Sequence, residues 1–415
     1  MKSILVFCLF YSLSLCQSDE NYLPIDEISD TNLYPTNTAA CQVDINSDTG
    51  SPQPLYIRPG TQEFFHPSDR RGLIELNVNQ QIELFCVQFN SPINVSGLIT
   101  AECFEGTTFR FNGILYDFRD FSCSNWPVSI AVRTTQRCYN NAIIVNVGFQ
   151  VNERFLRVYT SCHNTVLETN HYTHYQLTPR SDSNQRSVTR PSWRQLDFFP
   201  GKNVDNLHTR VTQRETIARI LESPSCADLL IEQPNSEIFL ARGHMAAMTD
   251  FILANEQRST FLFINTSPQW QTFNARNWYA IELSTRRLAA DRNITLDTYT
   301  GTFGVTHLSC ENGARRQIFL DYPALQIPVP MLYYKIIVNQ ANHSGIVFIG
   351  VNNVHLTLAD IQRDYIVCND VSDRITYVNW VKNDIVRGYS YACEVNDFLR
   401  SVPHVQGLTV TSLLI

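Results

Sequence analysis

The sequence contains no Cys-x-x-Cys pair, no internal repeat and no low-complexity tract. The first absence removes a thiolate zinc site as an organising device; the second removes solenoid and propeller architectures. Positive charge is also short, with 32 Lys and Arg against 39 Asp and Glu, a formal charge of -7. A protein held to a polyanion by bulk electrostatics carries the opposite balance, so any such contact has to come from a local patch. The candidate patch is Arg180, Arg186, Arg190, Arg194, Lys202, Arg210, Arg214 and Arg219, interrupted by Asp182, Asp197, Asp205 and Glu215; a solvated loop is the alternative reading. Long apolar runs are missing too. The run from Ile4 to Leu15 falls short of the roughly 20 residues a spanning helix needs. With Met1-Lys2 before it and small residues at Ser14 and Cys16, it reads as a secretory signal peptide over 1–16. The expected product is secreted and extracellular, with no membrane association and no obligate protein partner.

Cysteine is plentiful. Of twelve, Cys8 and Cys16 fall in the leader, which leaves ten: Cys41, Cys86, Cys103, Cys123, Cys138, Cys162, Cys226, Cys310, Cys368 and Cys393. An even number in an oxidising compartment implies up to five disulfides, in a connectivity the spacing does not fix. Asn-x-Ser/Thr acceptors stand at Asn94, Asn265, Asn293 and Asn342.

Residues 17–40 are polar and acidic without periodicity, the pattern of a flexible arm or propeptide. From Cys41 to about Arg137 the text is strand-like. Leu73–Val78 and Gln81–Val87 alternate apolar with polar and suggest a hairpin about Asn79-Gln80, and Phe109–Phe118 turns at Asn112-Gly113. A disulfide-stapled β-domain over 41–137 followed by a larger domain over 138–415 is the expected division. In the second part, strands are expected at Ile143–Val147, Phe155–Thr160, Thr298–Gly301 and Gly345–Val351, a long surface loop over Ser181–Asn206, and helices over Val211–Leu221 and Asn274–Ala290.

Two segments concentrate reactive side chains. A strand over Glu237–Leu240 delivers Arg242-Gly243-His244 into what reads as a glycine turn. On a helix starting near Asn274, residues four apart drift by only about 40°, so Asn274, Trp278, Glu282 and Arg286 share one side. Spacing alone also allows an amphipathic helix with Trp278 and Ile281 in the core, and a hydrogen-bonded structural histidine at 244.

The order Arg242-Gly243-His244, Asp250, Asn265-x-x-Pro268-Gln269, Phe273-Asn274-x-x-x-Trp278-x-x-x-Glu282 resembles the DNA/RNA non-specific endonucleases of the His-Me finger (ββα-metal) type, and within them the secreted arthropod branch. Weaker matches follow at Ile327–Lys335 and at Gly350–Asn353. The resemblance implies an α+β fold: a ββα-metal nuclease core with a mixed sheet and flanking helices, preceded by the small disulfide-rich β-domain. It implies a secreted endonuclease of DNA and/or RNA, double-stranded substrates included, that leaves 5′-phosphate ends.

By the same resemblance His244 is the general base and Asn274 the single protein ligand of Mg2+, with Mn2+ as the alternative; Glu282 orients the metal's waters. Arg242 and Arg286 steady the phosphate, where a guanidinium fork suits the geometry, and Asn265 holds the histidine or the substrate. A water on the metal protonates the leaving oxygen. Ala241 departs from the family's familiar form, which has aspartate there. A glycan on Asn265 would block the site, so that acceptor is expected to be unmodified. The competing reading is a catalytically silent, secreted nucleic-acid-binding paralogue, disfavoured by the presence of both His244 and Asn274.

Overall fold

Apolar–polar alternation sets the amino-terminal region. In the computed structural model, which describes residues 40–231, 236–310, 313 and 315–415, seven strands form there: β1 (Cys41–Asp44), β2 (Leu55–Ile57), β3 (Leu73–Leu76), β4 (Gln81–Cys86), β5 (Gly97–Glu105), β6 (Thr108–Phe111) and β7 (Ile114–Asp117). They make a two-stranded sheet, β1-β3, and a five-stranded sheet in the order β2-β4-β5-β6-β7. In β4 the side chains of Ile82, Leu84 and Cys86 are buried and those between them are not, the period of two expected of a half-buried strand.

The runs flanking Asn79-Gln80 are both strands, but they are not a hairpin: β3 pairs with β1, and β4 pairs with β2 and β5. The connecting residues bond elsewhere. The Asn79 amide donates to the Cys103 carbonyl and the Cys103 amide to the Gln80 carbonyl, which ties the link to β5. At Asn112-Gly113 the turn is as expected, joining β6 to β7 with both residues at positive φ, the geometry that matches strand twist. Disulfides Cys41–Cys103 and Cys86–Cys123 staple this region.

The rest of the chain is organised on a nine-stranded sheet. Its first four strands are β8 (Ile130–Arg137), β9 (Ile143–Val151), β10 (Arg154–Asn164) and β11 (Thr169–Leu177). After helices α1 (Val204–Leu207), α2 (Arg210–Leu221) and α3 (Pro224–Leu230) comes a separate pair, β12 (Leu240–His244) and β13 (Thr266–Trp270), with α4 (Ala254–Ser259) between them. Next are α5 (Gln271–Phe273), a π-helical turn at Asn274–Trp278, and α6 (Tyr279–Asp291). Then follow β14 (Leu296–Phe303) and two small hairpins, β15 (His307–Ser309) with β16 (Arg315–Gln317) and β17 (Phe319–Asp321) with β18 (Gln326–Pro328). The chain ends with β19 (Leu332–Asn339), β20 (Ser344–Val351), α7 (Leu358–Asp364), β21 (Ser390–Cys393), α8 (Val395–Ser401) and β22 (Ser412–Leu413).

Sheet order is β21-β20-β19-β14-β11-β10-β9-β8, antiparallel throughout, with β22 added parallel to β20, so the sheet is mixed. Strand β8, grouped by sequence with the amino-terminal domain, is the edge of this sheet, and a boundary at 137/138 falls between two of its paired strands. Phe149, Val151 and Leu156 of β9 and β10 also enter the amino-terminal core.

Strands β19 and β20 are buried along their whole length because both faces are covered. Tyr333, Ile337, Ile346 and Phe348 pack in one cluster with α2, α3 and α6, while Tyr334, Ile336, Val347 and Ile349 pack in another with Ile361 of α7 and Phe398 of α8. The remaining disulfides are Cys138–Cys162, Cys226–Cys310 and Cys368–Cys393, so all ten cysteines named above are paired. Among the described residues no helix is long and apolar enough to cross a membrane.

Candidate active site

The pair β12-β13 and the helix after it form a ββα unit laid on the large sheet. In its register, His244 faces Thr266, Gly243 faces Ser267 and Arg242 faces Pro268. His244 therefore lies in a strand rather than beyond one, and Gly243 is not a turn residue. Its lack of a side chain is required by crowding: a Cβ there would meet Gln269 at 2.5 Å and the Tyr333 hydroxyl at 2.6 Å. Asn352 fastens β13 to the sheet, accepting from the Trp270 amide at 3.0 Å and donating to the carbonyls of Pro268 and Pro330 at 3.0 and 2.9 Å. Phe273 anchors the start of the helix in a notch lined by Gly350 and Gly388, where a Cβ on either glycine would overlap its ring. Directly after it, the π-helical turn begins at Asn274, a local widening that recurs at functional sites.

A cavity of about 620 Å³ opens over this unit, lined among others by Arg190, Trp193, Arg242, His244, Asn274 and Glu282. His244 packs between Trp193 and Phe261, at ring-centroid distances of 4.8 and 5.0 Å, and its Nε2 is buried without a hydrogen-bond partner. Burial pushes its pKa down to about 3; the charge of Arg190 acts the same way and Asp250 pulls against both. The imidazole is thus neutral near pH 7 and able to accept a proton, and an anion entering the cavity opposes Arg190 and raises its basicity.

Glu282, which lines the same cavity from the helix, is shifted the other way, up to about 7, by burial and by the nearby charge of Asp250, with Lys335 and Arg286 offsetting part. Asn274 makes one described side-chain hydrogen bond, its Nδ2 to Gln271 Oε1 at 3.3 Å.

Asn274 and Glu282 offer oxygen donors of the kind a hard divalent cation takes, and the undercompensated Glu282 carboxylate favours a positive charge beside it. No group of three or more His, Cys, Asp and Glu side chains among the described residues is arranged to hold a metal. A cation here fits the pattern of one that keeps most of its waters.

Two of the sequence assignments land elsewhere. Asn265 is fully buried and does not line the cavity: its Oδ1 accepts from the Ala246 amide at 2.8 Å, and its Nδ2 donates to the carbonyls of Ala246 and Thr260 at 2.9 and 3.0 Å. It fixes the backbone after His244 rather than touching the ring or a ligand, and its buried Nδ2, which already donates two hydrogen bonds, leaves no room for a glycan in this fold. Asn94, Asn293 and Asn342 are exposed. Arg286 is also sealed, donating to Asp250 Oδ1 at 2.7 Å, while Tyr175 Oη and Lys335 Nζ donate to Oδ2 at 2.6 and 3.2 Å.

Trp278 and Ile281 are core residues, so the helix is amphipathic, with Asn274 and Glu282 on the cavity side. Arg242 reaches the cavity, but its Nη2 is held by the Asp205 carboxylate at 2.6 Å and carbonyl at 3.1 Å, an acid supplied by α1 where position 241 has alanine. Of the eight basic residues proposed as a patch, Arg190 alone lines the cavity. Arg194 binds Ser129, Lys202 binds Glu168 and Asp321, and Arg214 binds Asp228. Arg190 makes none of the described hydrogen bonds or ion pairs. Trp193, three residues on in the same loop, carried no sequence signal beyond its type.

A model of the DNA/RNA non-specific endonuclease family matches residues 140–398. The salivary endonuclease of Lutzomyia longipalpis is 24% identical over 372 residues, covering 88% of this chain and 84% of that protein. Salivary protein Tsal2A of Glossina morsitans morsitans is 26% identical over 324 residues, covering 73% of this chain and 79% of its own. Among solved structures, a chain of the EndoG/EndoGI complex shares 18% identity with a TM-score of 0.37, covering 60% of this chain and 82% of that one.

Proposed function

The chain belongs to the DNA/RNA non-specific endonuclease family, and from that premise we propose that it hydrolyses phosphodiester bonds of DNA and/or RNA outside cells, using His244 as general base. The observation that carries this is the Nε2 of His244, buried without a partner in a cavity it shares with Asn274, Glu282 and two arginines. An unpaired, neutral imidazole at the edge of a cationic cavity is suited to remove a proton from water attacking a bound phosphate.

Arg190 and Arg242 oppose the negative charge that grows on the phosphate oxygens, and Arg242 exchanges the exposed Asp205 carboxylate for the substrate. Arg286 acts indirectly, through Asp250 and the charge balance beneath Glu282. Asn274 would hold one Mg2+, or Mn2+ in its place, with Glu282 orienting the waters around it; bound there, the ion would supply Lewis-acid stabilisation of the phosphate. Water enters at phosphorus as His244 takes its proton, and the 3′-oxygen departs with a proton from a second water in the cavity, leaving a 5′-phosphate and a 3′-hydroxyl end. Export is supported by five disulfides and by relatives named as salivary proteins.

The test is incubation of the purified protein with plasmid DNA and with long double-stranded RNA, with Mg2+ and with a chelator. Cleavage of at least one substrate that stops on chelation and returns with Mg2+ is expected. Cleavage that ignores the chelator contradicts the metal assignment, and no cleavage of either substrate favours a silent binding protein.

A further inference from the structure

The face of the helix next to the one that carries Glu282 is not used by the mechanism above. Residues 276, 280, 283 and 287 recur at spacings of four, three and four, which aligns them on one side. They line a second cavity of about 370 Å³, whose opposite wall is Asn379, Val381 and Arg387. This cavity shares Ala275 and Tyr279 with the first. Tyr279 is a large aromatic side chain left 50% exposed, and it forms the ridge between the two.

The opposite wall is pinned to the helix. Buried Asn277 donates through Nδ2 to the carbonyls of Val381 and Gly388 at 2.9 and 2.7 Å and accepts from the Val381 amide at 3.0 Å. Gly388, at φ +86°, lies so close to Phe273 that no side chain fits. The groove is therefore preformed, and it is cationic. Arg287 makes none of the described hydrogen bonds or ion pairs. Arg387 meets Asp384 at 3.2 Å and Arg276 meets Glu237 at 2.7 Å, both as partly exposed pairs, which contribute little and yield readily to a phosphate that takes two parallel hydrogen bonds.

We propose that this second groove is a binding subsite for the polynucleotide flanking the cleavage point. Arg287 and Arg387 hold backbone phosphates there, and Tyr279 is the platform on which an unpaired base stacks as the strand crosses the ridge. This rests on the nuclease reading of the neighbouring cavity. From position 276 to 287 the helix rises about 16 Å, close to the axial length of about five base pairs of duplex, so the subsite extends the footprint by several nucleotides. In a chain with net charge -7, such a local track supplies the attraction that the protein as a whole does not.

Binding of a labelled oligonucleotide long enough to span both cavities, measured by anisotropy in EDTA over a series of salt concentrations, tests the subsite. Replacing both arginines (Arg287→Ala with Arg387→Ala) is expected to reduce the salt-dependence slope by about 1.4 for a single strand and about 1.8 for a duplex. The corresponding double Lys variant keeps the wild-type slope. Tyr279→Ala weakens single-strand binding about fivefold or more, and Tyr279→Phe retains it. All three side chains are exposed, so thermal midpoints stay at the wild-type value. A wild-type slope in the double Ala variant overturns the phosphate sites, and unchanged single-strand binding in Tyr279→Ala overturns the platform. Absence of salt-dependent binding by the wild-type protein instead overturns the nuclease reading on which the subsite rests.

Discussion

Glu282 and Arg286 stand one helical turn apart, yet they belong to regions built on opposite rules. Around Arg286 every charge is answered: Asp250 accepts from Arg286, Tyr175 and Lys335, and the Lys335 ammonium also reaches the hydroxyls of Tyr175 and Thr300. Around Glu282 the polar groups are left waiting: His244 Nε2 and Arg242 Nε have no partner, and Arg190 has no described ion pair. The sealed cluster sets where the helix lies and how much negative charge sits below the cavity. The open cavity keeps the capacity a substrate needs. Pairing is what holds a fold, and its absence in a concave, cationic place is what marks a site.

Acid is expected to undo the sealed interior first and by the largest amount. His163 and His171 are held down to about 4, and His208 and His404 to about 3, in each case chiefly by burial. Each folded-state value lies below the unfolded one, near 6.5. The unfolded chain therefore binds protons that the folded one refuses once the pH drops below that. Their contribution is complete above about pH 6.5 and is lost as the pH falls toward 3–4, at up to about 1.4 kcal/mol per pH unit for each histidine. Denaturant midpoints measured from pH 7 to pH 4 should fall steadily; a flat profile would show that these rings are not buried and neutral.

Removing the centre of the sealed cluster comes next. Asp250→Ala leaves Arg286 and Lys335 as buried, unpaired cations, and a loss of about 3–5 kcal/mol in unfolding free energy is expected. If that variant were as stable as wild type and lost only activity, the division between the two regions would break down. Gly243→Ala acts on the junction between them, forcing a methyl group against Gln269 and Tyr333, with an expected loss of about 1–3 kcal/mol and a drop in activity as His244 shifts. Smallest is Arg190→Ala, which removes one charge-assisted contact: kcat/KM should fall about tenfold with no change in melting temperature. A fall in stability instead would move Arg190 out of the cavity group.

Periodicity and punctuation in the sequence located strands β4, β6, β7, β9, β14 and β20 and helix α2, because each shows its own burial pattern or turn chemistry. Strand pairing was not legible. Leu73–Leu76 and Gln81–Cys86 look like a hairpin, and only the hydrogen bonds of Asn79, Gln80 and Cys103 show that β5 and β1 claim them.

Of the candidate site residues, His244, Arg242, Asn274 and Glu282 meet at one cavity, while Asn265 and Arg286 work from behind it. A motif gives the order of residues along a chain, not the depth of each in the fold, so a buried arginine and a cavity arginine read alike. Arg190 and Trp193 come from a loop without periodicity, and Asp205, which meets Arg242 from α1, lies far from position 241 in sequence. Folding alone brings them to the site.

His244 is proposed to perform chemistry and to leave the fold alone. Its most direct test is the turnover of His244→Ala on the best nucleic-acid substrate, measured beside the melting temperature of the same preparation. A fall in kcat of about 10³-fold at an unchanged melting temperature is expected. Cleavage at a rate near wild type would contradict it.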